Sequence, residues 1–203
     1  MAIDRKKVID DMSKIKLTAG ANGLIESCNV FVTQLPAQFW NTFAERLTAK
    51  VHPDMLEPTE YLLYNAAHEC GYHTGRGIIT SEEWKAVVCP MVETTEDVLH
   101  GAFAVLTAWG WGNTEIIDLV PGEKLLARAY DYYESDVVFY GASTKLSAYM
   151  LSGVCAAFMD LAYGGEYDET GKTGLCTFEC RQLKGIECGD DYGEFLVEKA
   201  VNA

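Results

Sequence analysis

The segment that most constrains the fold of this chain is the apolar stretch 143–162, whose spacing predicts one long helix. The apolar side chains available for a core are Leu146, Tyr149, Met150, Val154, Ala157, Phe158 and Leu161. A helix that is apolar over most of its circumference must be covered by other elements. No stretch of the sequence is apolar for long enough to cross a bilayer, so we expect no membrane insertion. We therefore expect this helix to lie across a sheet inside a globular domain.

Segments on both sides of this helix have the pattern of strands. Residues 116–120 precede a Pro-Gly turn, and residues 125–133 resume an extended pattern, which predicts a hairpin. Two further strands are predicted near residues 174–183 and 192–198, with glycine- and aspartate-rich turns between them. Together these segments predict an antiparallel sheet of about four to five strands.

The N-terminal half has the periodicity of helices. Helices are predicted over residues 4–17, over 36–50 and from Pro58 to Gly77, with a strand over 24–32. The expected inner face of the helix 36–50 carries Phe39, Trp40, Phe43 and Leu47. The order of helices, hairpin, helix and hairpin is typical of an α+β fold, with a helical N-terminal half and a sheet packed against long helices.

The length of 203 residues favours a single domain. We place that domain at residues 21–203, after a break at Gly20–Gly23. Residues 1–20 contain an amphipathic helix, which could pack on the domain or serve as an arm for dimerisation or for binding a partner.

The formal net charge of −14 bears on the partners of this chain. Nucleic-acid affinity rests on clustered Lys and Arg that release counterions, so we expect no DNA or RNA partner.

The first residues lead into an amphipathic segment and not into an apolar core with a cleavage site, so we expect no signal peptide. The seven cysteines are odd in number and lie mostly beside apolar helical residues, which disfavours a disulfide framework. We expect a cytoplasmic protein.

Four features of the C-terminal half follow one another in a fixed order. They are Gly110-Trp111-Gly112-Asn113-Thr114-Glu115-Ile116, then Tyr132-Tyr133-Glu134-Ser135, then the helix 143–162, then Gly189-Asp190-Asp191-Tyr192-Gly193-Glu194-Phe195. In this order and spacing the segment resembles the 4-vinyl reductase domain family. The upstream half resembles the N-terminal part of the sensor domains of aromatic-responsive bacterial transcription activators. These resemblances imply a fold shared with small-molecule sensors and with some membrane-trafficking subunits, and they imply dimerisation.

Four cysteines are candidate metal ligands: Cys155, Cys176, Cys180 and Cys188. Three of them lie near one predicted hairpin and the fourth is on the helix that crosses it, so four thiolates could hold a tetrahedral zinc ion. In the phenol-sensing proteins that the chain resembles, cysteines and a glutamate hold zinc. The corresponding places in this chain are Gly193, Gly185 and Gln182. The alternative is that the four cysteines are thiols without a metal.

The resemblance also places a ligand pocket. In the sensor domains a histidine and a tryptophan hold the phenol hydroxyl, at places that correspond here to Glu93 and to Tyr130 or Ala129. A Glu93 carboxylate inside the pocket would require a donor or a cation on the ligand. The alternative is that Glu93 lies at the start of a helix, favoured by the helix dipole. The other candidate pocket residues are aromatic, and core packing would also use them: Phe103, Trp109, Tyr132, Tyr133, Phe139, Tyr140, Tyr149 and Phe158.

The leading hypothesis is a dimeric cytoplasmic sensor or carrier that holds a small hydrophobic or aromatic molecule between the long helix and the sheet. The first alternative is an enzyme or enzyme accessory acting on a tetrapyrrole or aromatic substrate. We find no dinucleotide loop, nucleophile-histidine-acid set or paired carboxylates at a readable spacing, so we expect binding and not catalysis. The second alternative is an assembly protein that docks on a partner.

Overall fold

The computed structural model describes residues 3–201 and has the expected α+β architecture. The helices are α1 (Arg5–Met12), α2 (Ala37–Lys50), α3 (Leu56–Thr80), α4 (Glu82–Val87), α5 (Thr95–Ala108), α6 (Val137–Tyr140) and α7 (Tyr149–Tyr163). The strands are β1 (Ile25–Ser27), β2 (Val30–Val32), β3 (Gly112–Val120), β4 (Lys124–Tyr132), β5 (Phe178–Lys184) and β6 (Gly193–Lys199). The helical N-terminal half and the antiparallel sheet packed against long helices are confirmed.

The sheet has four strands in the order β3-β4-β6-β5, and every neighbouring pair is antiparallel. The two predicted hairpins form its outer pairs, and the pairing of β4 with β6 joins them. Leu125, Ala127 and Ala129 of β4 are fully buried at alternate positions, as are Phe195 and Val197 of β6. One face of the sheet therefore forms the core with α7, as the apolar pattern of that helix predicts.

The long helices α3 and α7 pack very closely. A Cβ atom added to Gly153 would lie 2.5 Å from the backbone oxygen of Tyr64 and 2.7 Å from the backbone nitrogen of His68. One added to Gly71 would lie 3.0 Å from the Cβ of Ala157. Only glycine lets the two backbones approach this closely without displacement.

A buried carboxylate connects α3, α7 and β5. Asp160 of α7 contacts Nε2 of His68 through Oδ2 at 2.7 Å, and both residues are buried. The same carboxylate accepts the backbone N–H groups of Cys176 at 2.6 Å and Phe178 at 2.8 Å. Because a buried charge is costly unless it is paired and hydrogen-bonded, this set of contacts fixes where β5 begins relative to both helices.

The N-terminal helix α1 is part of the domain core. Val8 and Met12 are fully buried in the main cluster. The guanidinium of Arg5 donates to the backbone oxygen of Thr114 at 2.8 Å and to the side chain of Asn113 at 3.0 Å. The apolar face of α1 is thus covered by its own chain, which is the first of the two roles that the sequence left open for this helix.

Three local expectations differ from the structure. The segment 24–32 is a tight hairpin and not one strand, because Cys28 and Asn29 adopt φ values of 51° and 60° at its turn. The long helix begins at Tyr149 and not at residue 143. On α2 the aromatic side chains point outward: Phe39 is 51%, Trp40 41% and Phe43 47% exposed.

No helix within residues 3–201 is both long enough and apolar enough to span a membrane.

Replacing Asp160 with asparagine should lower the free energy of unfolding by about 3 kcal/mol, because it leaves His68 and one of the backbone donors without an acceptor. Urea denaturation followed by circular dichroism measures this change. Glu123→Gln on the exposed β3–β4 turn is the matched control and should have an effect below about 0.5 kcal/mol. Equal effects of the two substitutions would show that the Asp160 contacts do not stabilise the fold.

Candidate ligand-binding site

A cleft of about 580 Å³ lies on the helical side of the molecule. Helices α3, α5 and α7 form its walls, and β2, α2 and the residues 109–111 complete its rim. Gly71 and Gly75 of α3 lie at its base opposite Val154 and Phe158 of α7, so the close helix contact also shapes the cleft.

The lining of this cleft is mostly apolar, and its described residues carry no charged side chain. Among the described residues that line it, none is Asp, Glu, Lys, Arg or His. A charged ligand group held inside would find no opposite charge, and an unpaired buried charge is very costly. The cleft is therefore suited to an uncharged ligand.

Tyr133 contributes a polar group to this lining. Its backbone is held on both sides, since its N–H donates to the carbonyl oxygen of Trp111 at 3.2 Å and its own carbonyl accepts from Nδ2 of Asn41 at 2.6 Å. Burial, followed by the neighbouring Glu134 and Cys70, raises the pKa of the Tyr133 hydroxyl. The group therefore stays protonated at physiological pH and can both donate and accept.

Of the predicted pocket residues, Trp109, Tyr133 and Phe158 line this cleft. Phe103 is fully buried beside it, with its ring edge-on to that of Phe158 at a centroid distance of 5.6 Å. Phe103 thus supports the pocket wall without forming its surface.

Tyr132 and Tyr149 belong to polar clusters outside the cleft. Tyr132 is buried, donates its hydroxyl proton to Glu187 and accepts the backbone N–H of Ile186 at 3.1 Å. Tyr149 lies in a second cleft of about 410 Å³ and donates to Glu60 at 2.8 Å. Both side chains have their hydrogen bonds within the protein.

Glu93 and Tyr130 are also outside the cleft. The Glu93 side chain is exposed, and its backbone N–H donates to Oδ2 of Asp97 at 3.1 Å next to the start of α5. This position next to the start of α5 is the alternative that the sequence analysis gave for Glu93. Tyr130 is 41% exposed and donates to Glu115 of the neighbouring strand.

The cleft lies between helices and not between the long helix and the sheet, where we expected it. Phe178 and Phe195 from the sheet and Met159 from α7 are almost fully buried in that space. Large side chains from both layers fill it, so the interface is core. The sequence shows which residues are apolar, but not which of them face an unfilled space.

The four candidate metal ligands do not form one cluster. Cys155 and Cys180 are adjacent, and burial followed by the Cys155 thiol raises the pKa of Cys180. Cys176 is in an exposed turn before β5, and Cys188 is in the turn after β5 beside Glu187. Within residues 3–201, no three His, Cys, Asp or Glu side chains are grouped so that they could hold a metal ion. The donor set does not fit the zinc site that the resemblance implied.

The sequence reading missed several cleft residues. Ala66, Cys70 and Thr74 recur every four residues along α3 and line the cleft, with Cys70 Sγ 3.7 Å from Thr74 Oγ1. From the sequence we expected Tyr61, Leu62, Ala66 and Cys70 to form a buried stripe on this helix. Instead Tyr61 and Leu62 are 64% and 63% exposed, and Ala66 and Cys70 are exposed in the cleft. The row of small side chains on one helix face is the signal that would have indicated the open space.

Beside the cleft, Glu134 caps α7. Its two carboxylate oxygens accept the backbone N–H groups of Met150 at 2.9 Å and Leu151 at 2.8 Å. The preceding N–H groups of Ser147 and Ala148 donate to side chains of the β5–β6 corner. These acceptors from distant segments explain why the helix begins at residue 149.

No protein-family model matches this sequence, and no curated protein matches it. Solved structures do match. The phenol-responsive sensory domain of the transcription activator PoxR, determined with phenol, aligns with a TM-score of 0.72 at 14% identity over 98% of this chain and 92% of that chain. A trafficking protein particle complex subunit 3 from Naegleria fowleri, covalently bound to palmitic acid, aligns with a TM-score of 0.52 at 12% identity over 81% of this chain and 95% of that chain.

A vinyl-4-reductase family protein from Methanocaldococcus jannaschii has a TM-score of 0.46 at 11% identity over 83% of this chain and 84% of that chain. At such identities these likenesses concern the fold alone. The resemblance read from the sequence motifs is confirmed at that level by the sensory domain, which aligns with nearly the whole chain.

Glu134 should make stability depend on pH. Burial raises its pKa from 4.5 to about 8, so the folded state holds a proton between these values that the unfolded state releases. Its contribution to the free energy of unfolding should therefore fall as pH rises from about 5 to 8. Glu134→Gln stays neutral, so its unfolding free energy relative to the wild type should rise over this range.

Urea unfolding at several pH values measures this difference, with Glu123→Gln as a control that should run parallel to the wild type. A Glu134→Gln curve that is also parallel would show that Glu134 is ionised in the folded protein throughout this range.

Proposed function

We propose that this protein is a binding protein, a sensor or a carrier, that holds an uncharged hydrophobic or aromatic molecule in the cleft between α3, α5 and α7. The observation that carries the proposal is the cleft itself, of about 580 Å³ with an apolar lining. Ligand sites in proteins are typically about 300–1,000 Å³ and mostly apolar. A cavity of about 150 Å³ is enough for benzene, so this cleft has room for several rings or a long chain.

Two proteins of similar fold support a binding role. One was determined with phenol and the other carries covalently bound palmitic acid. The fold thus accommodates both a ring and an acyl chain in other proteins. In this chain Trp109, Trp111 and Phe158 line the cleft, which favours an aromatic or polycyclic ligand.

Binding is favoured over catalysis by the same lining. Acid-base catalysis usually relies on histidine, carboxylate or lysine side chains near the substrate. None of the described residues that line the cleft is of these types.

A cytoplasmic location is supported by the thiols. All seven cysteines are free, which fits the reducing environment of the cytoplasm.

Filling the cleft should abolish binding. Ala66→Phe places a large ring in it, and the affinity for the neutral fluorescent probe N-phenyl-1-naphthylamine should fall at least tenfold. Ala86→Phe is the matched control, because Ala86 is also an exposed helical alanine but lies outside the cleft. Fluorescence titration measures both affinities. Equal probe affinities in the two variants would place the binding site elsewhere.

We also propose that the protein forms a homodimer through the outer face of α2. Asn41 is the only buried residue of this helix, while Phe39 and Phe43 are exposed. Trp40 is also exposed and, like Phe31, lines the cleft, so the proposed interface borders the cleft. Exposed apolar patches on this scale commonly mark interaction sites. A second copy would cover them with the same surface.

Phe43→Ser should shift the protein toward the monomer, because it removes a ring from the proposed interface. Light scattering coupled to size-exclusion chromatography measures the mass. Leu183→Ser on the outer strand β5 is the control, since Leu183 is exposed at a site remote in sequence and not on α2. A wild-type monomer at all accessible concentrations would refute the dimer.

A further inference from the structure

The cleft wall carries a hydroxyl group whose hydrogen-bonding capacity is unused. The Tyr133 hydroxyl makes no hydrogen bond to any other residue within 3–201, whereas the hydroxyls of Tyr132 and Tyr149 each do. Tyr133, its ring neighbour Trp111 and Cys70 all line the cleft, so the Tyr133 ring forms part of the cleft wall. The hydroxyl is not fully enclosed, so water can occupy its hydrogen-bonding positions, and a ligand with a matching polar group can take the place of that water.

The position of Tyr133 is well determined by its neighbours. Its backbone is hydrogen-bonded to Trp111 on one side and to Asn41 of α2 on the other. Its ring lies edge-on to that of Trp111, with centroids 5.7 Å apart. A group held in this way loses little conformational freedom when it binds a ligand.

The polar groups around the cleft also limit what Tyr133 can bind. The indole N–H groups of Trp109 and Trp111 can only donate, and the Tyr133 hydroxyl can donate and accept. None of the described residues that line the cleft is Lys, Arg or His, so a ligand anion would find no cation there.

We infer that the Tyr133 hydroxyl is the polar anchor of the ligand, and that the ligand is a neutral aromatic or polycyclic molecule carrying a hydroxyl or carbonyl oxygen. The inference rests on the proposed binding function and names the ligand class for the same cleft. The ring system contacts the tryptophans and Phe158, and the single oxygen pairs with Tyr133.

Three probes with one ring system test the anchor: naphthalene, 2-naphthol and 2-naphthoate. The full chain should bind 2-naphthol about tenfold more tightly than naphthalene, the worth of one hydrogen bond, and 2-naphthoate most weakly because it is charged. Tyr133→Phe should remove the preference for 2-naphthol and leave the affinity for naphthalene unchanged. Isothermal titration calorimetry or fluorescence quenching measures the affinities.

Tyr167→Phe is the matched control, because it also removes one tyrosine hydroxyl but at a site outside the cleft. It should retain the preference of the wild type. The melting temperature of Tyr133→Phe, expected to equal or exceed that of the wild type, shows whether the variant is folded.

The outcomes separate the two proposals. If Ala66→Phe abolishes binding of all probes while Tyr133→Phe keeps the preference for 2-naphthol, the cleft is the binding site and the anchor is refuted. If 2-naphthoate binds the wild type most tightly, the neutral ligand class is refuted. If no probe binds the wild type, or if Ala66→Phe leaves binding unchanged, the proposed function and the anchor fail together.

Discussion

The close crossing of α3 and α7 is the constraint on which the rest of the structure depends. Gly153 lies against the backbone of α3, and Gly71 lies against Ala157 of α7, so the two helices meet without intervening side chains. The buried pair of His68 and Asp160 adds a polar connection at the same crossing and extends it to β5. The sheet is thereby fixed on one side of α7 and the helical half on the other.

The cleft is a consequence of that crossing. Large side chains fill the space between α7 and the sheet, whereas α3 presents small side chains to the cleft. The polar groups follow the same division. Glu187, Gln182 and Tyr132 satisfy one another at the corner of the sheet, while the cleft retains an apolar lining with a single tyrosine hydroxyl on its wall. Tyr133 and Glu134 are adjacent in sequence but serve these two different environments.

Much of the architecture was predictable because its signals are local. The Pro-Gly turn before Leu125 is a short pattern with a direct physical cause, and it joins β3 to β4 as expected. Other elements depended on distant partners. The start of α7 is set by Glu134, which is fifteen residues away from Tyr149 in the sequence, and the turn at Cys28 uses a residue type that seldom adopts a positive φ. Trp109, Tyr133 and Phe158 were all among the aromatic residues expected to line a pocket, but so was Tyr132, and nothing in the local pattern separates Tyr133, which lines the cleft, from Tyr132, which does not.

The sequence by itself determined the order of helices and strands, the fold class and the apolar character of the long helix. The periodicity of apolar residues along the sequence shows which face of a helix or strand is apolar, and this is enough for those conclusions. Only the tertiary structure decided where space is left open, which tyrosine faces it, and that Cys155 and Cys180 meet while Cys176 and Cys188 lie elsewhere. The physical reason is that a cavity and a side-chain cluster are properties of several elements packed together, and the pattern along one element does not specify which neighbour covers it.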